Sequence, residues 1–474
     1  MKKYLSKDSL TAISLWILFT AAIVAVPFFK GGAGLVAGAG FGVSVPPGMV
    51  WGFLAISFLM FFYMIYVAGY AFCYKPTPGL SDDKLPGCTV IVPAYNEGKH
   101  VEETLTSLLS ADYPAEKLEI IAVNDGSQDD TWSWIQHAAA EANGRITTVN
   151  LPRNGGKKHA LYRGILMAKH DIVVTVDSDS TVNHEGLRSI VSAFADPRVA
   201  GAAGNIRIKN LSDGMLPKMM DVGFMFGFEI IRSAQSVIGF VMCTPGALSA
   251  YRKSAVLPFL NDWLNQMFLG VPARIGEDRA IATMILQHGY KVVFQSDAIA
   301  YTCIPYTYVR FCRMLIRWTR SDIRENWLML KYVASRLPQG KTSPGVVIHL
   351  AVQVLNTILP AMLPLLFLTL LMFGPKEVLL SFCYSIIYGL VGALIPAMIY
   401  AKRVSLLQSV WALVFSIYGV FALSWVYLYS FLTVRNSKWL TRDLPQQRHS
   451  HAGLIGKYLR LHRRKELPVS ESRS

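Results

Sequence analysis

The chain has 474 residues, of which 52% are apolar and 16% charged, and its mean hydropathy is +0.35. This composition favours an integral membrane protein with one soluble domain of ordinary size. The net charge of +15 is diffuse and includes no dense basic tract, so it indicates a membrane surface and a diphosphate as partners and no nucleic acid. The six cysteines have no paired spacing, which favours cytosolic thiols over disulfides or a zinc site.

Two apolar stretches open the chain, at about residues 10–29 and 49–73. Each is long enough to cross a hydrocarbon core of ~30 Å as a helix. A cleaved signal peptide is the alternative for the first stretch, but it is long, lacks a clear small-residue cleavage site and precedes a second stretch. Flanking lysines place both outer ends in the cytoplasm. We predict two transmembrane helices within residues 1–75.

Residues 76–305 contain short β-branched apolar runs that alternate with helix-like stretches, which predicts a mostly parallel, doubly covered α/β sheet. The predicted strands are 88–93, 118–124, 146–151 and 171–177, and predicted helices include 101–110 and 130–143. Ligands of such sheets bind beyond the carboxyl ends of the strands. Glu97, Asp125 and Asp177 lie at those ends, so the candidate site is predicted there.

The segment 306–333 has the pattern of an amphipathic helix, which lies in a membrane interface instead of spanning it. Five arginines share an arc of about 80° on this helix. They are Arg310, Arg313, Arg317, Arg320 and Arg324. An ordinary solvated charged face is the alternative. We assign residues 306–340 to this interfacial region.

Three more apolar segments follow, at about 346–373, 377–400 and 406–434. Three crossings would place the basic tail, residues 435–474, outside the cell, against the positive-inside rule. We therefore expect the last segment to be kinked, re-entrant or interfacial. Residues 341–434 are predicted to form the C-terminal membrane region, followed by a cytoplasmic tail.

Asp177 and Asp179 follow an apolar strand, separated by one serine. Magnesium and manganese prefer oxygen ligands and commonly bind one or two carboxylates plus substrate phosphates. A DxD triplet alone is common in loops, but its place after a strand favours a metal site. We predict that both aspartates hold Mg²⁺ or Mn²⁺, which offsets the charge on a departing UDP.

Polar groups also end the first two predicted strands. The acidic side chains there, Glu97 and Asp125, can accept hydrogen bonds from a uracil N–H or a ribose hydroxyl, and Tyr95 can stack on the base. The loop 153–158 (RNGGKK) offers close backbone approach and ammonium groups for a diphosphate. Each segment alone could be a polar surface turn, but together they indicate a nucleotide site.

Glu277 and Asp278 open a predicted helix. An inverting sugar transfer needs one carboxylate to remove the proton of the acceptor hydroxyl, and we favour Asp278 for this role over a plain helix cap. Further along, Arg317 can contact the diphosphate through its guanidinium fork. Trp318 offers an apolar face on which an acceptor sugar could stack.

These motifs, in this order, resemble processive family 2 glycosyltransferases with a GT-A fold. That family includes hyaluronan synthases, chitin and chitooligosaccharide synthases, poly-N-acetylglucosamine synthases and, more distantly, cellulose synthase. The motifs with family counterparts are PAYNE, VNDGS, GGKKHA, DSD, CTPGALSAYR, GEDR, IRW and RSDIRE, within residues 85–442. The sequence WLTR at 439–442 is similar to the WGTR-type motif of hyaluronan synthases, which is cytoplasmic there and favours an inside tail here.

The resemblance implies a role for each site residue. It implies UDP binding by Tyr95, Glu97, Asp125 and Lys157, metal and nucleotide binding by Asp177 and Asp179, and catalysis at Asp278 beside Glu277. It implies donor and acceptor contacts by Arg317 and Trp318, with Cys243 and Arg252 near the acceptor and the channel entrance. The family pattern Gln-x-x-Arg-Trp has Met314 at the Gln position here, and a thioether hardly hydrogen-bonds, so the acceptor contacts remain open.

The sequence thus predicts a membrane-embedded inverting synthase in the inner or plasma membrane, with a cytoplasmic catalytic domain. Its partners would be a UDP-sugar, the growing polysaccharide and the lipid bilayer, and the sequence does not specify an oligomer or accessory subunit. N-acetylglucosamine, with or without glucuronic acid, is the favoured monomer. The alternatives are non-processive transfer to a lipid phosphate, a β-glucan synthase, and a transport or scaffold protein without activity.

Overall fold

The computed structural model describes residues 47–372 and 375–437. The predicted span at residues 10–29, the WLTR motif and the basic tail from residue 438 lie outside the described residues.

An eight-stranded sheet forms the centre of the described chain. Its strands are β1 (Cys88–Ala94), β2 (Leu118–Asn124), β3 (Ile146–Asn150), β4 (Ile172–Thr175), β5 (Thr181–Val182), β6 (Val199–Ile208), β7 (Ser249–Arg252) and β10 (Lys291–Thr302), and β8 (Met267–Phe268) pairs separately with β9 (Val271–Pro272). The sheet order is β3-β2-β1-β4-β7-β6-β10-β5. Strands β1 to β4 are parallel, and β7 runs antiparallel between β4 and β6. The predicted α/β sheet is confirmed.

Helices cover the sheet and extend beyond it. They are α1 (Pro47–Cys73), α2 (His100–Leu109), α3 (Thr131–Glu141), α4 (Lys157–Met167), α5 (Gly186–Ser192), α6 (Met215–Phe226), α7 (Ser233–Val237), α8 (Lys253–Val256), α9 (Leu260–Leu264), α10 (Glu277–Gln287), α11 (Tyr308–Arg336), α12 (Pro344–Leu371), α13 (Pro375–Arg403), α14 (Leu406–Tyr418) and α15 (Ser424–Leu432). A π-helical segment, Gly227–Arg232, joins α6 to α7.

The central strands are continuous apolar runs because both faces of the sheet are covered. Every residue of β1 and β4 is buried. Strand β4 is shorter than the predicted 171–177. The amide of Val176 still donates to the carbonyl of Ile91 in β1, at 3.1 Å, so the chain stays at the sheet until Asp177.

Two helical stretches in the described residues are long and apolar enough to cross a membrane by length and composition, Pro344–Thr369 and Leu406–Leu432. The last of the three predicted C-terminal segments is not a regular helix. A π-helical segment, Gly419–Leu423, separates α14 from α15. Such segments are a common cause of helix kinks.

The arginine arc of α11 is solvated only at its start, where Arg310 and Arg313 are exposed. Arg320 and Arg324 are 1% and 4% exposed. Arg324 donates to the carbonyl oxygen of Ile275 at 2.7 Å, and Arg320 donates to Thr433 Oγ1 at 2.7 Å. Helix α11 thus packs between the sheet domain and the C-terminal helices. The solvated-face alternative is wrong at these two positions, because periodicity shows which residues share an arc but not what covers it.

Candidate active site

The carboxyl ends of β1, β2 and β4 bring three sequence motifs together. The amide of Asp125, after β2, donates to the carbonyl of Ala94 at the end of β1, at 2.9 Å. Ser178, after β4, donates through its hydroxyl to Glu97 Oε1 at 3.1 Å, so the DSD and PAYNE motifs touch. Tyr95 is buried beside them. The parallel sheet therefore assembles the predicted nucleotide residues at one edge.

Asp125 fixes the glycine-rich loop that precedes α4. Its two carboxylate oxygens accept hydrogen bonds from the amides of Gly155 and Gly156, at 2.9 and 2.8 Å. Burial raises the pKa of Asp125, and these two amides oppose the rise. Gly126 has φ +69°, and a Cβ there would lie 2.5 Å from the backbone of Arg153. Only glycine lets the two loops approach this closely.

Lys157 joins the metal motif to the acid motif. Its ammonium group forms ion pairs with Asp177 and with Glu277, the latter at 2.8 Å. Burial acts to lower the pKa of Lys157, but the surrounding carboxylates outweigh it and raise this pKa. For Glu277, burial opposes ionisation, but Lys157 outweighs it and lowers the pKa. Both groups are therefore charged at neutral pH, and the sequence alone did not predict this pairing.

The candidate base, Asp278, is half-buried at the start of α10. Its Oδ1 accepts from the amide of Arg279 at 2.8 Å, and its carbonyl accepts from Thr244 Oγ1 at 2.9 Å. The preceding Gly276 has φ +71°, and a Cβ there would lie 1.7 Å from Ser321 Oγ. This glycine lets α10 begin directly against α11.

Asp278 also has the acid–base property that a general base needs. Burial, followed by the charge of Glu277, raises its pKa to about 6. A base acts in its deprotonated form, and a pKa close to the operating pH favours proton transfer. We expect the rate of sugar transfer to fall below pH 6 and to level off above pH 7. The measurement is kcat/KM for nucleotide release between pH 5 and 8, and a flat profile would contradict the assignment.

The two predicted metal ligands differ in their surroundings. Asp177 is held by Lys157, whereas Asp179 is half-exposed, with Ser180 Oγ 3.3 Å from its carboxylate. Both carboxylates follow β4 at the sheet edge, and the Asp177 side chain is still 32% exposed. This oxygen-only donor set fits a magnesium or manganese ion that takes its remaining ligands from phosphates and water.

The predicted acceptor residues are brought together only in part. The ring of Trp318 lies 6.1 Å from that of Phe224, centroid to centroid, and is partly buried. Burial, then the charge of Asp278, raises the pKa of Cys243 to about 12, which places this thiol near the base. Arg317 interacts electrostatically with Glu277. Met314 is 4% exposed and belongs to an apolar cluster with Phe311.

Arg252 does not reach this site. It pairs with Ile172 at the opposite end of β4 from the aspartates. Its guanidinium donates to the carbonyl oxygens of Phe194 and Val199, at 2.9 and 3.2 Å. The prediction of an acceptor contact at Arg252 is therefore corrected: antiparallel β7 carries its end away from the site while its start stays near.

Three charged residues near the site were not predicted. Arg279 forms an ion pair with Asp322 at 2.8 Å, and burial lowers the pKa of Arg232, which interacts electrostatically with Asp278. A signal was present for Arg232, since it is the only cation in residues 222–232, which are otherwise apolar except for Glu229. For Arg279 and Asp322 the signal was their place in the GEDR and RSDIRE motifs.

Residues 89–256 match the family model described as Glycosyl transferase family 2. The chain is 29% identical over 372 residues to an N-acetylglucosaminyltransferase of Azorhizobium caulinodans, covering 77% of this chain and 90% of that protein. It is 31% identical to a hyaluronan synthase of Streptococcus pyogenes, over 58% of this chain and 65% of that protein. It spans 60% of the length of several other matching N-acetylglucosaminyltransferases.

Among solved structures, the chain resembles a mannosyltransferase of Pyrobaculum calidifontis that was solved with GDP-mannose and Mn²⁺. The TM-score is 0.53 at 22% identity, over 81% of this chain and 94% of that one. The mostly parallel sheet with acidic residues at its carboxyl edge thus has the GT-A fold. The match of residues 89–256, together with these relatives, confirms the resemblance to family 2 glycosyltransferases and the predicted glycosyltransferase class.

Proposed function

We propose that this protein is a membrane-embedded, inverting polysaccharide synthase that transfers N-acetylglucosamine from its UDP derivative to the end of a β-linked chain. The observation that carries the proposal is the contact between the two acidic motifs. Lys157 bonds to both Asp177 and Glu277, so the candidate base Asp278 lies beside the end of the sheet where the nucleotide motifs meet.

In the proposed reaction, the carboxylate of Asp278 takes the proton of the acceptor hydroxyl. The hydroxyl oxygen forms a bond to the anomeric carbon while the bond from that carbon to the diphosphate breaks, and UDP leaves with the electron pair. Tyr95 and Glu97 would contact the nucleoside. The glycine-rich loop that Asp125 holds would approach the diphosphate closely, and Arg317 would add a charge-assisted contact.

The carboxylates of Asp177 and Asp179 would hold a divalent cation. When bound, Mg²⁺ or Mn²⁺ would neutralise charge on the diphosphate. The mannosyltransferase of Pyrobaculum calidifontis was solved with Mn²⁺ and a nucleotide sugar, which supports the proposal of such a cation here.

The apolar helices support a membrane location with the catalytic domain in the cytoplasm and the product extruded through the C-terminal helices. The names of the relatives support the monomer, since they are N-acetylglucosaminyltransferases and hyaluronan synthases. The partially buried Trp318 would provide the stacking face for the acceptor.

The deciding experiment supplies the purified protein with UDP-N-acetylglucosamine, UDP-glucuronic acid and UDP-glucose, singly and in pairs. We expect UDP release to require UDP-N-acetylglucosamine. Digestion of the product with chitinase and hyaluronidase then identifies the polymer, and its length separates a synthase from a single-sugar transferase. Polymer from UDP-glucose alone would refute the proposed donor, and absence of UDP release with every donor would refute the activity.

We expect chelation with EDTA to abolish transfer and Mg²⁺ or Mn²⁺ to restore it. Asp179→Ala should lose both turnover and the metal-dependent part of UDP affinity, because the cation and the carboxylate jointly neutralise the diphosphate. Calorimetric UDP binding with and without metal is the measurement. Asp213→Ala, at an exposed aspartate outside the site, is the control. Full turnover of the chelated enzyme would disprove the metal requirement.

A further inference from the structure

A row of aromatic rings leads from Trp318 to a buried cation. Phe224, Phe228 and Arg232 are spaced by four residues along α6 and the π-helical segment that follows it, which places them on one side. The rings of Phe224 and Phe228 are 5.4 Å apart, and the guanidinium carbon of Arg232 lies 3.7 Å from the centre of the Phe228 ring. Phe224 in turn contacts Trp318. Arg232 is therefore connected to the candidate acceptor residue through a continuous row of packed side chains.

The guanidinium of Arg232 has hydrogen-bonding capacity that the described residues leave unused. Its Nη1 atom is buried and has no hydrogen-bond partner among them. Stacking on Phe228 occupies the flat face of the guanidinium, while its N–H donors lie around the edge. Buried polar groups nearly always have a partner, and in a binding site that partner is commonly water or a ligand atom. Arg232 thus offers a donor for a ligand oxygen.

Charges of both signs surround Arg232. It interacts electrostatically with Asp278, Asp322 and Arg279, and Arg279 is paired with Asp322 at 2.8 Å. The nearby Cys243 stays a neutral thiol, because burial raises its pKa to about 12. Two carboxylates therefore face two guanidinium groups. A further carboxylate from a sugar would repel Asp278, whereas a neutral carbonyl oxygen would satisfy the free donor without adding charge.

We propose that Arg232 is a specificity-determining residue of the acceptor site, where it donates a hydrogen bond to the acetamido carbonyl of an N-acetylated sugar at the end of the growing chain. This inference rests on the proposed function and deepens it, because it names the acceptor class and the residue that selects it. Trp318 would stack on the apolar face of the growing polysaccharide while Arg232 donates a hydrogen bond to the acetamido group.

The test uses the full-length enzyme in detergent, with UDP-N-acetylglucosamine as donor and three short acceptors. These are an N-acetylglucosamine tetramer, a glucose tetramer with the same linkage and an oligomer that ends in glucuronic acid. We expect the wild type to have the lowest KM for the N-acetylated acceptor. Arg232→Leu should raise that KM about tenfold or more, the effect of one charge-assisted hydrogen bond, and leave the KM of the glucose acceptor within about twofold.

UDP affinity of each variant shows that the donor site is intact, and Arg198→Leu, at an arginine whose side chain is 72% exposed, is the matched control. Arg232→Lys keeps the charge without the planar fork, and it should weaken only the N-acetylated acceptor. An equal rise in KM for the N-acetylglucosamine and glucose acceptors would overturn the inference, and so would a wild type that prefers the acceptor ending in glucuronic acid. In either case, measurable transfer would still uphold the proposed function. If no UDP-sugar supports transfer, the proposed function fails instead.

Discussion

Asp278→Asn should bind UDP almost as the wild type does and lose transfer by ~10²–10⁴-fold, the usual contribution of a general base. The substitution removes the proton acceptor and little else. Asparagine keeps a side-chain oxygen that can accept the amide hydrogen of Arg279, now 2.8 Å from Asp278 Oδ1, so the start of α10 should be preserved. The measurement pairs the rate of UDP release at saturating donor with UDP affinity from calorimetry.

The control for this variant is Asp262→Asn, which makes the same chemical change at an exposed position in α9. It should retain wild-type transfer. The pH profile adds a second check, because the decline of activity below pH 6 should disappear from the residual rate of Asp278→Asn. Near wild-type turnover in the purified variant would show that another group accepts the proton.

Lys157→Met should destabilise the protein by about 3 kcal/mol, the lower end of the range for breaking a buried ion pair, because the Asp177 side chain is still 32% exposed. The variant leaves three carboxylates facing one another without their cation: Asp177, Glu277 and Asp278. Their mutual repulsion should raise the pKa of Asp278 above its value of about 6. Any residual activity should therefore need a higher pH than the wild type does.

Lys169→Met is the matched control for this variant, since Lys169 lies just beyond α4 with its side chain 77% exposed. Removal of that lysine should change the free energy of unfolding by about 0.5 kcal/mol or less. Thermal unfolding and the pH dependence of UDP release are the two measurements. An unchanged pH profile in Lys157→Met would mean that this lysine does not set the protonation of the base.

The sheet could be predicted from the sequence because a parallel, doubly covered strand has few alternatives. The runs at 88–93 and 118–124 are apolar, β-branched and followed at once by polar turns, and the observed β1 and β2 differ from them by one residue or none. The positions of Glu97 and Asp125 at the carboxyl edge follow from the same argument. For these residues, strand direction alone fixes the location.

The contacts across the site could not be predicted, because they join segments far apart in the sequence. The bond between Lys157 and Glu277 depends on how α10 meets α4, and periodicity carries no information on that approach. The same limit explains Arg252, whose side chain lies away from the site although its strand begins beside it. A short antiparallel strand places its two ends at opposite edges of a sheet, and the sequence does not show where the chain turns.

The buried arginines of α11 also constrain the order in which the chain can assemble during synthesis. Arg320 finds its hydrogen-bond partner in Thr433, which the ribosome adds more than a hundred residues later. On the same helix, Asn326 donates to Thr357 Oγ1 of α12 at 3.2 Å. Until those segments emerge, α11 carries charged and polar groups that only water can satisfy. The catalytic domain can fold early, but α11 can complete its packing only when the last apolar segment has been synthesised.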